Sequence, residues 1–380
     1  MIFDYETLKL IWWLFVGVLL IGFAVTDGFD LGVAALLPYT GRSDEERRVV
    51  INTVGPVWDG NQVWFITAGG ALFAAWPLVY AAAFSGFYFA LLLVLLALIV
   101  RPVGFDFRSK LAQPRWRGFW DGALCVGGLV PSLVFGVAFG NLFLGVPFHY
   151  DDTLRPFYSG SFWALLNPFA LLVGVVSLSM LLLHGAVYTQ LRTEGPIAER
   201  ARRAARVAGA VYIVSFAAAG LWLALGIKGY RIAASPDVNG VVTPLMQTVE
   251  RSTGSWYANF GAHPWLWLAP LAGIAGAALA MLASAARRPG AGIVASGIAI
   301  AGTILAAGLA LFPFVMPSSA QPNASLTLWN ATSSHFTLQV MFWAVVLFLP
   351  IVLAYTTWAY RKLRGKVTLD AVREQGPAAY

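Results

Sequence analysis

The chain has 380 residues, 59% of them hydrophobic and only 11% charged, with a mean hydropathy of +0.71, whereas soluble domains carry roughly 25% charged residues. A water-soluble enzyme is excluded, and at about 20 apolar residues per membrane crossing no room is left for a large soluble domain beside the spans. The net charge of +7 points to membrane-anchoring loops on the cytoplasmic face rather than to nucleic acid.

The amino terminus, MIFDYETLKL, has an acidic flank and no clear small-residue cleavage site, so no removable signal peptide is expected. Taken in chain order, the apolar stretches predict an all-α polytopic membrane protein with nine spans at about 8–30, 50–75, 78–100, 119–141, 161–184, 204–226, 264–285, 290–316 and 336–360. The long run 60–100 must turn at Ala75-Trp76-Pro77, because proline ends a helix and tryptophan favours the interface. The run 289–360 must break in the polar stretch from Pro317 to His335. The second span is the weakest, since it contains Asp59, Asn61 and Gln62.

Charge asymmetry retains it. With nine spans and an outside (periplasmic) amino terminus, the inner segments collect Arg42, Arg47 and Arg48, the group from Arg101 to Arg117, the group from Arg192 to Arg206, Arg287 and Arg288, and the carboxyl-terminal bases from Arg361 to Arg373. Only Lys9, Arg155, Lys228, Arg231 and Arg251 are left outside, as the positive-inside rule requires. Residues 1–360 thus form one transmembrane domain and 361–380 a cytoplasmic tail. The outer segments 227–263 and 317–335 are expected to cap the bundle. Asn323 and Asn330 head glycosylation triplets, but that pattern is common by chance and is assigned no role. The four-residue spacings Gly28…Gly32 and Gly136…Gly140 suit close helix packing, either within the chain or against a partner subunit.

Asp27, Asp30 and Asp59 are carboxylates that fall inside the predicted spans or at their ends. Counting from Val50, Asp59 lies about 14 Å into a continuous helix, near the bilayer midplane, where a carboxylate must be protonated, paired or hydrated. Asp27 and Asp30 share one helix face near the inner end of the first span, either as a solvated helix end or paired with an arginine such as Arg101. Asp106, Arg108 and Lys110 form either a proton entrance or a basic anchor. The four histidines, His149, His184, His263 and His335, fall at span ends or in loops, so no pair is placed to clamp a haem. The single cysteine, Cys125, reads as an ordinary helix residue, and no zinc, nucleotide or iron–sulfur motif is present. The residues alone therefore describe a proton-handling membrane subunit or transporter.

Several strings are longer and more unusual than that. GFAVTDGFDLG at 22–32 and VWDGNQVWFITAGGALFAAWP at 57–77 resemble subunit II of the cytochrome bd-type quinol oxidases. The resemblance continues through AAAFSGFY at 81–88, RPVGFDFRSK at 101–110, VAFGNLFLGVPF at 137–148 and FPFVMPSSAQPNASLTLWNATSS at 312–334, and so covers nearly the whole chain. It implies a bacterial inner-membrane heterodimer that oxidises quinol and reduces dioxygen to water, building a proton-motive force without pumping. It implies two b-type haems and one d-type haem, all ligated by subunit I, a small single-helix accessory subunit in many complexes, and in some members a structural quinone within this subunit.

The fold implied is two four-helix bundles plus one peripheral helix. Residue by residue, the resemblance maps the family's proton route onto Asp59, with Asp106, Lys110 and Tyr380 as its cytoplasmic approach. Trp64 matches a residue bordering an oxygen path or is a packing aromatic. Asp30 and Arg101 match positions near the subunit interface that support haem assembly. Two other readings compete: a stand-alone proton-coupled transporter, and a scaffold for subunit I in which Asp59 is inert.

Overall fold

The computed structural model describes residues 3–240 and 242–375. Thirteen α-helices occur among them: α1 (Tyr5–Thr40), α2 (Asp44–Val54), α3 (Trp58–Ala75), α4 (Pro77–Gly86), α5 (Tyr88–Phe107), α6 (Pro114–Leu144), α7 (Pro168–Arg192), α8 (Gly195–Leu225), α9 (Ala258–Ala262), α10 (Leu268–Ala285), α11 (Pro289–Leu311), α12 (His335–Lys362) and α13 (Leu369–Gln375). Their starts follow capping chemistry. Asp4, Asn167 and Ser334 accept backbone N–H bonds at the first turns of α1, α7 and α12, and Ser43 and Glu46 form a reciprocal capping box on α2. Pro77, Pro114, Pro168 and Pro289 open α4, α6, α7 and α11, where the missing N–H costs nothing.

Eight helical stretches are long and apolar enough to cross a membrane, by length and composition: α1, α5 with the turn to Lys110, α6, α7, α8, α10 with its preceding turn from Pro264, α11 and α12. The expected turn at 75–77 is present between α3 and α4, and the break before His335 separates α11 from α12. Three expectations need correction. The span 50–75 is not continuous: it is divided at residues 55–57, because the proline of Gly55-Pro56 cannot donate to the ladder. Of its two parts, α3 falls below the apolar criterion because Asp59, Asn61 and Gln62 crowd its start. The first span does not end near residue 30 but runs to Thr40, so Asp27 and Asp30 are mid-helix rather than at its end. The fifth span is shifted to 168–192, which places His184 in the helix interior rather than at a span end.

α1 is the central helix, packing on α3, α6, α7 and α11. Helices α7, α8, α10 and α11 pack on one another to its one side, and α5 lies on α6 to the other. The four-residue glycine spacings serve packing within the chain. A Cβ on Gly32 would sit 2.2 Å from the carbonyl oxygen of Leu181, and one on Gly136 would sit 2.3 Å from that of Val173, so α7 lies backbone to backbone against both α1 and α6. α12 is the least enclosed of the eight, only 6% of its most apolar stretch being buried.

The segments between the helices close one end of the bundle. Antiparallel pairs β1 (Phe148–Tyr150) with β2 (Pro156–Tyr158), β3 (Lys228–Ala234) with β4 (Thr248–Thr253), and β5 (Phe314–Met316) with β6 (Leu326–Thr327) lie there. Buried Lys9 of α1 ties two of these segments down, its ammonium donating to the carbonyls of Val238 (2.7 Å) and Trp329 (2.8 Å). Asn323 and Asn330 are structural: the first accepts from the Val249 N–H, and the second, buried, accepts from Thr327.

At the opposite end the bases form a network. Arg108 is buried between Asp121 (2.5 Å) and Asp44 (2.9 Å), with Arg47 and Arg117 on the same two carboxylates. The tail folds back there. Arg373 grips Glu45, and Val372 is buried among Phe29, Val50 and Tyr188.

Candidate functional site

Two groups of polar side chains lie near the middle and the carboxyl-terminal end of α1. The first is enclosed. Asp27, Asp30 and Arg101 have no exposed surface at all. Arg101 reaches Asp27 with two guanidinium bonds, Nη2 to Oδ1 at 2.6 Å and Nη1 to Oδ2 at 3.1 Å, a bidentate pairing that leaves Nε without a partner among the described residues. Its stem lies across Gly127 of α6, where a Cβ would be 2.7 Å from Arg101 Cγ. The arginine alternative for Asp27 is thus the one realised. Asp30, one turn on, is served differently. Its Oδ2 accepts from Asn61 Nδ2 at 2.7 Å, and its Oδ1 has no hydrogen-bond partner among the described residues.

Asn61 in turn accepts from the Tyr360 hydroxyl, so a single chain of bonds joins α12, α3 and α1. Beside it the ring of Phe29 stacks on Tyr188, centroids 3.9 Å apart, and the Tyr188 hydroxyl donates to the Thr53 carbonyl at 3.0 Å. That carbonyl is free to accept because α2 stops at Val54 and its last turn lacks partners within the helix. Electrostatically, Asp27 and Arg101 cancel, while Asp30 shares its charge with no cation by direct contact. A lone buried carboxylate with one donor is costly. Both Asp30 and Arg101 are sealed by this chain's own helices, so any support they give a neighbouring subunit acts through α1 and α5.

The second group is open. Asp59 lies in the first turn of α3 and is exposed. It is two residues before Asn61, hence about 200° around the helix from it. The depth expected from a continuous helix does not hold, because the helix restarts at Trp58. Asp59 instead sits beside the last turns of α5: the Trp58 ring packs 5.6 Å from that of Phe105. The residue after Phe105 is Asp106, also exposed, and Lys110 follows at the same tip. Among the described residues no hydrogen bond or ion pair reaches Asp59, Asp106 or Lys110. The structure therefore brings these three to one end and leaves them uncommitted, whereas Tyr380 lies outside the described residues. Trp64 is half-buried with its ring against α1, where a Cβ on Gly22 would be 2.6 Å from it.

Asn61 and Tyr360 were not singled out as site residues by the sequence reading. Asn61 carried a signal, a polar amide within an apolar run; Tyr360, at a span end, carried none. His184 is buried with both ring nitrogens engaged, Nδ1 with Ser296 Oγ at 2.7 Å and Nε2 with the Val25 carbonyl at 2.9 Å, so neither is presented to an iron. A turn away, Met180 lines a half-open cavity of about 780 Å³ between α1, α3, α6, α7, α8, α10 and α11. Its walls are apolar, with Phe23, Phe65, Phe135 and Phe216 prominent. Two of its hydroxyls are already used, Tyr257 donating to Gly220 O and Thr303 to Ala299 O. Such a cavity suits a long hydrocarbon rather than a charged molecule.

Residues 8–363 match the family described as cytochrome bd terminal oxidase subunit II. The chain is 53% identical over 377 residues to the cytochrome bd-I ubiquinol oxidase subunit 2 of Escherichia coli (strain K12), covering 99% of this chain and 100% of that one. It is 32% identical to the cytochrome bd ubiquinol oxidase subunit 2 of Bacillus subtilis (strain 168), covering 94% and 96%. The solved structure of the bd oxidase from Geobacillus thermodenitrificans contains a chain of the same fold, with TM-score 0.66 at 14% identity, covering 93% of this chain and 98% of that one.

Proposed function

The chain belongs to the family of cytochrome bd terminal oxidase subunit II, and from that premise we propose that it carries part of the cytoplasmic proton supply of a quinol-oxidising, dioxygen-reducing complex. It is a subunit of a cytochrome bd-type oxidoreductase and a multi-pass membrane protein. In this reading the complex takes electrons from a quinol of the class named for the relatives' enzymes, ubiquinol, and reduces dioxygen to water. Its protons enter from the cytoplasm past Asp106 and Lys110, with Tyr380, to Asp59.

The observation that carries the reading is the packing of Trp58 on Phe105, which sets two exposed, uncommitted carboxylates and a lysine at one end of the molecule. A proton carrier must exchange its proton, and a carboxylate locked to an arginine, as Asp27 is, cannot do so cheaply. Asp30 and Arg101 act in assembly by holding α1, α3, α5 and α12 together. Trp64 borders the path by which oxygen reaches the partner.

The membrane arrangement that accompanies this reading has nine crossings, with α2 and α3 supplying the ninth. They form two four-helix bundles with α12 peripheral, the amino terminus periplasmic and the carboxyl terminus cytoplasmic in a bacterial inner membrane. The side-by-side packing of α7, α8, α10 and α11 supports one bundle, and the basic residues gathered at a single end support the orientation. The haem-bearing subunit I ligates two b-type haems and one d-type haem, a division supported by the two engaged nitrogens of His184. A small single-helix subunit joins that assembly. When a structural quinone is bound in this chain, the cavity lined by Phe23, Phe65, Phe135 and Phe216 suits its apolar tail.

The test is Asp59→Asn in the intact complex. We expect unchanged haem spectra with oxygen reduction slowed roughly a hundredfold, within the range general acid–base groups contribute. Wild-type turnover would remove the proton-path role and leave the chain as a scaffold. Isolation of the chain from mild detergent without a haem-bearing partner would instead favour a stand-alone transporter.

A further inference from the structure

We propose that the groove between α1, α7 and α8 binds one anionic phospholipid, an acyl chain lying in the groove and the phosphate held at its mouth by Arg42 and Arg203. The groove has a volume of about 340 Å³ and is lined by Leu36 and Tyr39 of α1, Val175 and Ser179 of α7, and Val207 and Val211 of α8, among others. On α8 the lining recurs at 204, 207, 208 and 211, a single helical stripe in which Ala204 and Ala208 form a low floor. Of the two hydroxyls on the wall, that of Ser179 donates to the Val175 carbonyl at 2.6 Å and that of Tyr39 belongs to an exposed side chain, so the interior of the slot is apolar to a hydrocarbon chain.

The mouth is basic. Following the α8 stripe one turn toward its start leads to Arg200 and Arg203, and following α1 past Tyr39 leads to its end at Thr40 and then to Arg42. Glu46 ties these two rims together: one carboxylate oxygen accepts from the Arg42 N–H at 2.8 Å and the other pairs with Arg200 at 2.7 Å. Arg200 is thereby neutralised. Arg42 and Arg203 are exposed and make no ion pair among the described residues, while Glu199, the nearest acid in sequence to Arg203, is taken by Arg202 and Arg287.

An open apolar slot, with an aromatic ring at its rim and two exposed guanidinium groups beyond it, matches a phospholipid end for end. A net negative headgroup satisfies both arginines. A zwitterionic one brings its own cation to the same place. The inference requires only that the chain spans a membrane, and stands apart from the proton-path reading.

The experiment uses the whole complex with its partner subunits, stripped of lipid, incubated with vesicles of phosphatidylglycerol or of phosphatidylcholine, and counted by native mass spectrometry. We expect wild type to retain one phosphatidylglycerol more than the double variant Arg42→Ser/Arg203→Ser, and no corresponding phosphatidylcholine. A second variant, Val207→Phe/Val211→Phe, fills the groove from positions 66% and 42% exposed and should lose the same lipid with both arginines in place. Equal lipid counts in wild type and both variants would overturn the proposal, as would equal retention of phosphatidylcholine. Crosslinking of Val207→Cys to another protein chain in native membranes would do so too, since the groove would then belong to a subunit.

Discussion

The Asp27–Arg101–Asp30–Asn61–Tyr360 cluster and the Asp59–Asp106–Lys110 group lie close along the same helices yet are built on opposite terms. In the first, charged and polar atoms from four helices close on one another and admit almost nothing else. In the second, the backbone is ordered by the Trp58–Phe105 contact while the ionisable side chains remain uncommitted. Fixed, enclosed charges favour assembly; uncommitted ones favour exchange. Within one short stretch, α3 serves both purposes from two faces, Asn61 inward and Asp59 outward.

The comparison breaks most visibly at Arg101. Arg101→Met would leave Asp27 and Asp30 buried without a cation, at a cost of about 3–5 kcal/mol. We expect loss of the assembled complex from membranes, read as subunit abundance and haem content; normal abundance would mean the cluster is not what holds α5 to α1. Next is Asp106→Asn, expected to slow oxygen reduction roughly tenfold, about 1.4 kcal/mol in barrier, with abundance and haem spectra unchanged. An unaltered rate would remove Asp106 from the open group. Smaller still is Tyr360→Phe, which deletes one donor to Asn61 and should cost about 1 kcal/mol, seen as a lowered thermal midpoint with near-normal turnover.

The smallest effect concerns pH at the start of α2. Burial alone would raise the Glu46 carboxyl, but the hydrogen bond from Arg200 and the N–H groups of Arg42 and Ser43 outweigh it and hold it below its ordinary value of 4.5. The stabilisation of the start of α2 is therefore fully present above that value and is lost as pH falls through the lower, folded one. Hydrogen exchange at the α2 amides should show it, and Glu46→Gln should flatten the dependence.

Much of this was legible from the residues. Apolar runs located the long helices, Trp76-Pro77 located a turn, and the positive-inside pattern gathered the bases now seen around Asp44 and Asp121. The motif strings carried the family. What could not be read depended on the third dimension. The proline of Gly55-Pro56 broke a helix that hydropathy would join, moving Asp59 to a first turn. Ten further residues of α1, through Pro38, turned an expected helix end at Asp30 into an interior. Tyr360 lies 299 residues from Asn61, a separation over which no local pattern reports. The glycine spacings were ambiguous until α7 was seen against them.

The pairing of Asp27 with Arg101 also bears on how the chain enters the membrane. The two residues are 74 positions apart, so at a synthesis rate of about 5–20 residues per second roughly 4 to 15 seconds separate their emergence from the ribosome. For that interval Asp27 and Asp30, in the interior of the first helix, lack the arginine that later pairs with Asp27. That helix must wait in a hydrated or protein-lined setting, such as the insertion machinery, until the arginine helix arrives. Release of α1 into lipid is then coupled to the synthesis of α5, and the early helices enter the bilayer as a group rather than one at a time.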